Sequence, residues 1–356
     1  MALRDVAHRQ VGWDVGGAHV KACLLEDGAP RDIAQWPCPL WQGMQHLDAA
    51  LDRARSRWFQ AWDAGVDHAA TMTGELVDLF SDREQGVARI ADRLAQRLGP
   101  SLRLFDAGGD WRTPDEAGQR WRAIASANWC ATARWVAARL PDAVLVDIGS
   151  TTTDLVAIRS GRIAASGQSD VERLATGELV YHGVVRTPLC ALGPRVRWRG
   201  REVNVMNEFF ATSADVYRLT GELDPAHDQA ATADGRGKDP GATRQRLARM
   251  IGCDEGDADA SDWLALAQWW KDAQRHEIQA QLARVCVAAG LPADAPVVGA
   301  GCGAFLAQEL AQRSGRPFLR YAAVALPASG LHADLASWAD VCAPAVSVAL
   351  LACGRG

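Results

Sequence analysis

From Val144 the chain runs apolar and β-branched to Ile148, breaks at Gly149, and resumes with alternating apolar residues as far as Ile158. That pattern predicts a strand, a tight turn and a second strand. The turn carries Gly149 and four hydroxyl residues, Ser150, Thr151, Thr152 and Thr153, with a carboxylate on either side, Asp147 and Asp154. Val11 to Gly28 repeats the arrangement. Laid over Val144–Gly161 without a gap, Asp14 falls on Asp147, Gly16 on Gly149 and Gly28 on Gly161, and apolar positions agree along both strands. One strand–Asp–x–Gly–turn–strand unit at two distant points predicts two similar lobes facing each other, each offering a turn to a shared cleft.

The remaining periodicities fill in the lobes. Met44, Leu47, Leu51, Ala54, Trp58 and Trp62 recur at helical spacing and predict a helix over Trp41–Val66. Ala69–Thr73 reads as a short strand ending in Thr73-Gly74-Glu75. Gln85–Leu98 reads as a helix, Leu102–Phe105 as a strand, and Pro114–Arg139 as mostly helix, with Asn128 among small residues. Pro141 closes a first lobe, residues 1–141. The second lobe spans 142–340. It has short strands at Arg162–Ser166 and Leu179–Val185, then a helical insertion at about 203–290 that contains a long helix, Ser261–Ala289. Residues 226–242 are rich in Gly, Asp, Ala and Thr without periodicity, which predicts an exposed loop able to close over a ligand. Val297–Phe305 reads as a strand entering a glycine turn before another helix. Leu335–Cys353 is a last apolar helix broken near Pro344, with 341–356 expected to pack back on the first lobe.

Composition narrows the function. A chain of 356 residues, 48% apolar, can bury two substantial cores. The net charge of −5 and the absence of a basic stripe argue against nucleic acid. No apolar run reaches the length of a membrane span, and the first ten residues lack an apolar signal core, so a cytoplasmic protein is expected. The nine cysteines are scattered, with no Cys-x-x-Cys pair, and read as reduced core residues. The sequence leaves a homo-oligomer open.

The residue types at the turns point to phosphate. Backbone N–H groups at Gly16, Gly17 and Ala18, and at Gly149 with the hydroxyls of Ser150, Thr151 and Thr152, suit phosphate oxygens. Asp14 and Asp147 suit a Mg²⁺ or its waters. Lys21 adds a point charge on the second strand, and Arg186 a bidentate clamp for diphosphate or carboxylate. Gly299, Gly301 and Gly303, between a strand and a helix N-terminus, suit a nucleotide or a diphosphate. Glu75 sits at the end of a strand. Asn128, Asp170, Glu178 and His182 complete the polar set, each with a structural reading beside the functional one.

The paired Asp-x-Gly hairpins and the later glycine turn resemble the acetate kinase/sugar kinase/Hsp70/actin superfamily. This implies an α/β, two-lobed ribonuclease-H-like fold: mixed sheets flanked by helices, with a cleft between lobes. The Asp147-Ile-Gly-Ser-Thr-Thr-Thr-Asp form is similar to the hydantoinase/oxoprolinase branch. Met72-Thr-Gly-Glu-Leu-Val-Asp-Leu-Phe, Ala127-Asn-Trp, Arg173-Leu-Ala-Thr-Gly-Glu-Leu-Val-Tyr-His-Gly, Arg186-Thr-Pro and Glu208-Phe-Phe-Ala-Thr-Ser-Ala-Asp-Val-Tyr resemble the (aminomethyl)furan methanamine synthase family of methanofuran biosynthesis, which accompanies tetrahydromethanopterin-linked one-carbon metabolism.

The resemblance implies a transferase with two small-molecule partners, a phosphorylated substrate and a phenolic amine. An aminomethylfuran-methyl diphosphate condenses with the phenol of γ-glutamyltyramine, forming an ether and releasing diphosphate with Mg²⁺ assistance. Asp154 or Glu75 would then accept the phenol's proton, Lys21 would share the charge developing on the leaving group, and Glu178 or Asp170 would hold a substrate ammonium. Two alternatives keep the same phosphate groups. One is an ATP-dependent small-molecule kinase or hydrolase, with Asp147 or Asp154 as base and adenosine at Gly299–Gly303. The other is a nucleotide-dependent binding switch.

Overall fold

The computed structural model of the protein describes residues 8–59, 65–327 and 332–354. Seven of the ten N-terminal residues read above for an export signal, and Trp62, lie outside the described residues. The chain divides into two compact units. One comprises Met1–Pro141, Ser160–Ile163 and Tyr321–Gly356, the other Asp142–Arg159 and Ala164–Arg320.

The first unit opens with β1 (Arg9–Val15), β2 (His19–Glu26) and β3 (Ala29–Pro37), then α1 (Gln45–Arg57), β4 (Asp67–Met72), α2 (Arg83–Leu98), β5 (Leu102–Phe105), β6 (Trp111–Arg112), α3 (Trp121–Ile124) and α4 (Asn128–Ala137). Its sheet has the order β3-β2-β1-β4-β5-β6. β1, β4 and β5 run parallel, and β2 is antiparallel to both of its neighbours. Strand β1 is buried from Gln10 to Val15, on both faces of the sheet.

The second unit holds β7 (Ala143–Ile148) and β8 (Thr153–Arg159). The short β9 (Arg162–Ile163) belongs to the first unit. Then come α5 (Asp170–Thr176), β10 (Leu179–Val180), β11 (Arg195–Trp198), β12 (Arg201–Asn204), α6 (Ser213–Leu219), α7 (Pro240–Arg249), α8 (Ala260–Ala288), β13 (Val297–Ala300), α9 (Ala304–Arg313) and β14 (Phe318–Arg320). Its sheet has the order β10-β8-β7-β13-β14. Counted within the unit, that is 3-2-1-4-5 with strand 2 antiparallel, the same order as in the first unit. Two mixed sheets of this order, flanked by helices, make the ribonuclease-H-like fold of actin, Hsp70 and the sugar kinases. The repeat extends to the backbone: Asp27-Gly28 and Ser160-Gly161 both take φ near +50° and +70°, the left-handed pair that a tight hairpin turn demands.

The chain ends with α10 (Tyr321–Ala325), α11 (Ala333–Val341) and α12 (Ala343–Ala352), all in the first unit. α11 and α12 meet at 94° just before Pro344, and α12 is buried from Ala343 to Leu350 against β1. Among the described residues no single helix is long and apolar enough to cross a membrane.

Several elements differ from their sequence patterns. The helix read over Trp41–Val66 is a 3₁₀ turn, Leu40–Gln42, followed by α1, which stops at Trp58. The helix read over Pro114–Arg139 is interrupted, because Ser126 takes φ +52° between α3 and α4. The strands read over Leu179–Val185 and Arg162–Ser166 shrink to two residues each. Residues 226–242 are exposed over 235–240, as read, but tethered: Asp228 is buried and accepts from Arg218 and Lys238, and Asp234 accepts from the fully buried Arg246. These ion pairs tether the segment at several points, and those to Arg218 and Arg246 are invisible to a periodicity argument because these partners lie on α6 and α7.

One buried contact couples the first unit's stability to pH. Trp13 Nε1 donates to Nδ1 of buried His68 at 3.2 Å, joining β1 to β4. Burial pushes the His68 imidazole down from its ordinary value to about 4. The unfolded chain therefore takes up the proton first. The contribution is complete above roughly pH 6.5 and is lost as pH falls toward 4, a change of about 3 kcal/mol. Urea midpoints measured from pH 7.5 down to 4.5 should fall, and His68→Gln should remove a large part of that slope. An unchanged slope in the variant would assign the pH dependence to other groups.

Candidate functional site

In each unit the repeated aspartate stands at the carboxyl end of the sheet's first strand, where parallel α/β sheets present ligand-binding loops. In the first unit Asp14 is directly opposite Lys21 across β1 and β2, with Asp14 Oδ2 3.9 Å from Lys21 Nζ. The turn between them is closed by Gly16 N–H donating to the His19 carbonyl at 2.9 Å. Gly17 and Ala18 give their carbonyls to Leu40 and Cys38, which fixes the outer side of the turn. Thr73, at the end of the parallel β4, donates to the Val15 carbonyl at 2.9 Å, so Glu75 follows directly on this edge. Glu75 is 1% exposed, and its Oε1 accepts from Ser126 Oγ at 2.9 Å. Ser126 is the left-handed residue that breaks the helix before Asn128, the half-buried first residue of α4. The structure thus groups Asp14, Gly16, Gly17, Ala18, Lys21 and Glu75 around the ends of β1 and β4.

In the second unit Asp147 is directly opposite Asp154 across β7 and β8. Position 154 is the repeat equivalent of position 21, so one turn carries Asp opposite Lys and the other Asp opposite Asp. Like charges in that register destabilise a sheet, and the fold supplies a cation. Arg173, 1% exposed on α5, donates to Asp154 Oδ1 at 2.8 Å and to the Glu178 carbonyl at 3.1 Å. One oxygen of Asp154, the residue expected as a proton acceptor, is thereby committed to a buried guanidinium.

The hydroxyl turn is clamped from outside. Val184 N–H donates to the Gly149 carbonyl, and Val185 and Arg186 N–H both donate to the Ser150 carbonyl. Gly183 lies so close that a Cβ there would be 2.4 Å from Ser150 and Thr151 backbone atoms. Arg186 Nη1 reaches Thr151 Oγ1 at 3.4 Å, and burial lowers the guanidinium's pKa from its ordinary value. Arg186 is thereby placed beside Gly149, Ser150, Thr151 and Thr152, where it can meet an anion held by the turn.

The glycine turn joins the same edge. β13 is parallel to β7, with Ala300 paired to Asp147. Gly303 N–H donates to the Ile148 carbonyl at 2.8 Å. Gly301 has φ +81°, and a Cβ on it would lie 2.1 Å from the Ile148 carbonyl oxygen and 2.6 Å from Asp147 Oδ1. The Asp147 carboxylate therefore rests on the glycine turn. Gly299 is buried on β13, where a Cβ would lie 2.6 Å from the Phe318 ring and 3.2 Å from Ala307.

The remaining substrate-binding expectations separate. Glu178, 2% exposed, accepts from Ser166 N–H, Gly167 N–H and Thr176 Oγ1 at 2.6 to 2.8 Å, a structural clasp that leaves no place for a substrate ammonium. Asp170 is half-buried in the first turn of α5, where the helix dipole favours a carboxylate. His182 is half-buried, and its carbonyl accepts from Thr153 Oγ1 at 2.7 Å. Arg173 stands in the sequence only as the first residue of the Arg173-Leu-Ala-Thr-Gly-Glu motif, with no role assigned to it. Its task comes from α5 folding back over β8. Ser126 went unnoticed, because a serine in the left-handed region leaves no mark in the sequence.

Mg²⁺ is commonly held by one or two carboxylates, the rest of its shell being water and substrate phosphate. Asp147, with Asp154 on the same face, meets that requirement, and Asp14 offers a single carboxylate. Among the described residues no group of three or more His, Cys, Asp or Glu is arranged to enclose a metal.

Known proteins carry the same pattern. The sequence profile of the hydantoinase/oxoprolinase family matches residues 67–334. The (4-{4-[2-(gamma-L-glutamylamino)ethyl]phenoxymethyl}furan-2-yl)methanamine synthase of Methanocaldococcus jannaschii is 32% identical over 246 residues, covering 68% of this chain and 72% of that enzyme. The synthase of the same name from Methanococcus vannielii is 33% identical over 124 residues, covering 35% and 55%. Among solved structures, nucleotide-free acetone carboxylase aligns over 85% of this chain and 66% of its own, with a TM-score of 0.54 and 11% identity, a likeness of fold.

The packing at Gly301 makes a direct prediction. Gly301→Ala should cost about 2 kcal/mol or more, from the left-handed backbone and the contact with Ile148. Gly256→Ala, where a Cβ meets nothing within 4 Å, is the control. A thermal unfolding midpoint for Gly301→Ala equal to that of the control would show that the turn yields without cost.

Proposed function

The chain belongs to the hydantoinase/oxoprolinase family and to the family of the (4-{4-[2-(gamma-L-glutamylamino)ethyl]phenoxymethyl}furan-2-yl)methanamine synthases, and from that premise we propose that it is the transferase that makes this phenoxymethyl ether in a methanofuran-type cofactor. The donor in this reading is an (aminomethyl)furan-methyl diphosphate, and the acceptor is the phenol of γ-glutamyltyramine. What carries the reading is the likeness, over 68% of the chain, to an enzyme named for a product that contains this ether. The site chemistry supports it.

The bond that breaks joins the exocyclic furfuryl carbon to a diphosphate oxygen, whose electron pair leaves with diphosphate. The furan ring stabilises positive charge on that carbon, so the protein has chiefly to hold and neutralise the leaving group. In the second unit the N–H and hydroxyl groups of Ser150, Thr151 and Thr152 are proposed to bind diphosphate oxygens, with the N–H groups of Gly17 and Ala18 as their counterparts in the first unit; the N–H groups of Gly16 and Gly149 close their own turns onto the His19 and Thr152 carbonyls. Lys21, 3.9 Å from Asp14, supplies positive charge at the first turn, and Arg186, beside Thr151, at the second. Asp147 would hold Mg²⁺ or its waters beside the second turn, and Asp14 is the equivalent carboxylate in the first unit. When bound, the ion would neutralise part of the diphosphate's charge. Gly301 and Gly303 keep Asp147 and the end of β7 in place through their contacts with Ile148. The nine free cysteines, five of them buried, and the small-molecule substrates fit a cytoplasmic enzyme.

The test is a direct assay. Purified protein with Mg²⁺, the furfuryl diphosphate and γ-glutamyltyramine should release diphosphate and form the ether, and chelation by EDTA should stop it. Asp147→Ala should lower turnover by about 10² or more while leaving the circular dichroism spectrum unchanged. ADP formation from ATP in the absence of the furfuryl diphosphate, without ether, would replace this reading with a kinase or hydrolase. Undiminished turnover in Asp147→Ala would remove the second turn from the site.

A further inference from the structure

A groove of about 620 Å³ lies wholly within the second unit, between α8 and the chain running from α5 to Gly193. Its apolar lining includes Leu174, Leu179, Val180 and Leu192. Leu174 and Tyr181 leave 50% and 57% of their surface to solvent, an unusual exposure for large apolar side chains placed together. The α8 side brings Glu277 and Gln281, and Gln281 Nε2 donates to Glu277 Oε1 at 2.9 Å, which fixes the carboxylate's direction. No Lys or Arg is among the described residues that line the groove.

His182 also lines it. Its Nδ1 is buried and finds no hydrogen-bond partner among the described residues. Burial lowers the imidazole's pKa, an effect the Glu277 carboxylate opposes in part, so the ring is neutral near pH 7 and able to take a proton. The backbone at His182 leads straight to the hydroxyl turn: its carbonyl accepts from Thr153 Oγ1, and Gly183 next to it lies on Ser150 and Thr151. The groove and the phosphate-binding turn are thus one residue apart along the chain.

A diphosphate ester would need cations, and this groove offers none. An aryl ring bearing an amine would use what is here: an apolar floor, an exposed aromatic face, an oriented carboxylate and a neutral imidazole. On the premise of the ether-forming reaction above, we propose that this groove is the acceptor site, that it takes the phenolic amine, and that His182 is the catalytic base. Glu277 holds the acceptor's ammonium. The phenol's O–H bond breaks with the proton passing to His182. The freed electron pair forms the O–C bond to the furfuryl carbon, and the C–O bond to diphosphate breaks with its pair leaving on diphosphate.

The test combines binding and turnover on the full chain. γ-Glutamyltyramine is titrated calorimetrically into the parent protein and into Ala191→Trp, which fills the groove from an exposed position, and Glu277→Gln, an exposed substitution that keeps the size. Both should weaken acceptor binding at least tenfold, while binding of inorganic diphosphate with Mg²⁺ stays within twofold. His182→Gln should leave the acceptor dissociation constant within about threefold and lower kcat for ether formation by about 10² or more.

Parent protein that binds the acceptor, loses it in Ala191→Trp, yet forms no ether would uphold the groove and fail the reaction. Ether formation by the parent with an unchanged acceptor KM in both Ala191→Trp and Glu277→Gln would overturn the groove. A kcat in His182→Gln equal to the parent's would overturn the base.

Discussion

A carboxylate at the carboxyl end of a buried parallel strand has to be met by positive charge, and this requirement shapes both halves of the molecule. In the first unit the answer is local: Lys21 is built into the neighbouring strand, directly opposite Asp14. In the second unit the equivalent position is itself acidic, Asp154, and the charge is supplied by Arg173 from α5. The duplicated hairpin has therefore diverged at the residue that decides its electrostatics. One turn carries its cation on the strand. The other has two carboxylates facing one way, one of them neutralised from behind by a buried guanidinium, which leaves the Asp147 side suited to a divalent ion that arrives with a phosphate.

The second unit is built outward from that arrangement. Glu178 clasps Ser166, Gly167 and Thr176 and so fixes the end of α5, which holds Arg173 against Asp154. The next residues, Tyr181 to Arg186, run over the hydroxyl turn and bond to its carbonyls. Gln274 on α8 donates to the Gly183 carbonyl at 2.9 Å and accepts from Tyr217. The helical insertion is thereby tied to the turn by a buried polar chain. Such a chain costs most when one member is lost, since the others are left buried and unsatisfied. The groove on the other side of Tyr181 and His182 follows from the same path of the chain: backbone on the turn, side chains toward α8.

Some of this was legible from residue order. The gapless overlay of Asp14 on Asp147 and Gly28 on Gly161 has a structural counterpart in two sheets of the same strand order and two hairpin turns with matching left-handed dihedrals. Trp263, Leu266, Trp270, Ile278, Leu282 and Val285, at helical spacing along the long helix, are all buried. Strand register and helix faces follow from short-range periodicity, so they survive translation from sequence to structure. Helix breaks did not. Ser126 and the end of α1 at Trp58 are decided by what the helices pack against, and the 226–242 segment is held by partners on other elements.

What residue order determined was the pair of Asp-x-Gly hairpin turns, the doubled α/β architecture and the family, because each rests on local pattern or on many positions taken together. What only the tertiary structure decided was the task of each charged group. Asp154 and Glu178 look like catalytic or binding carboxylates along the chain, yet one is paired with Arg173 and the other saturated by backbone N–H groups. His182 reads as one polar residue among several until α8 is folded against it. Charge and hydrogen-bonding capacity are properties of a residue. Whether they are already spent inside the fold depends on neighbours far away in the chain, and that is set only by packing.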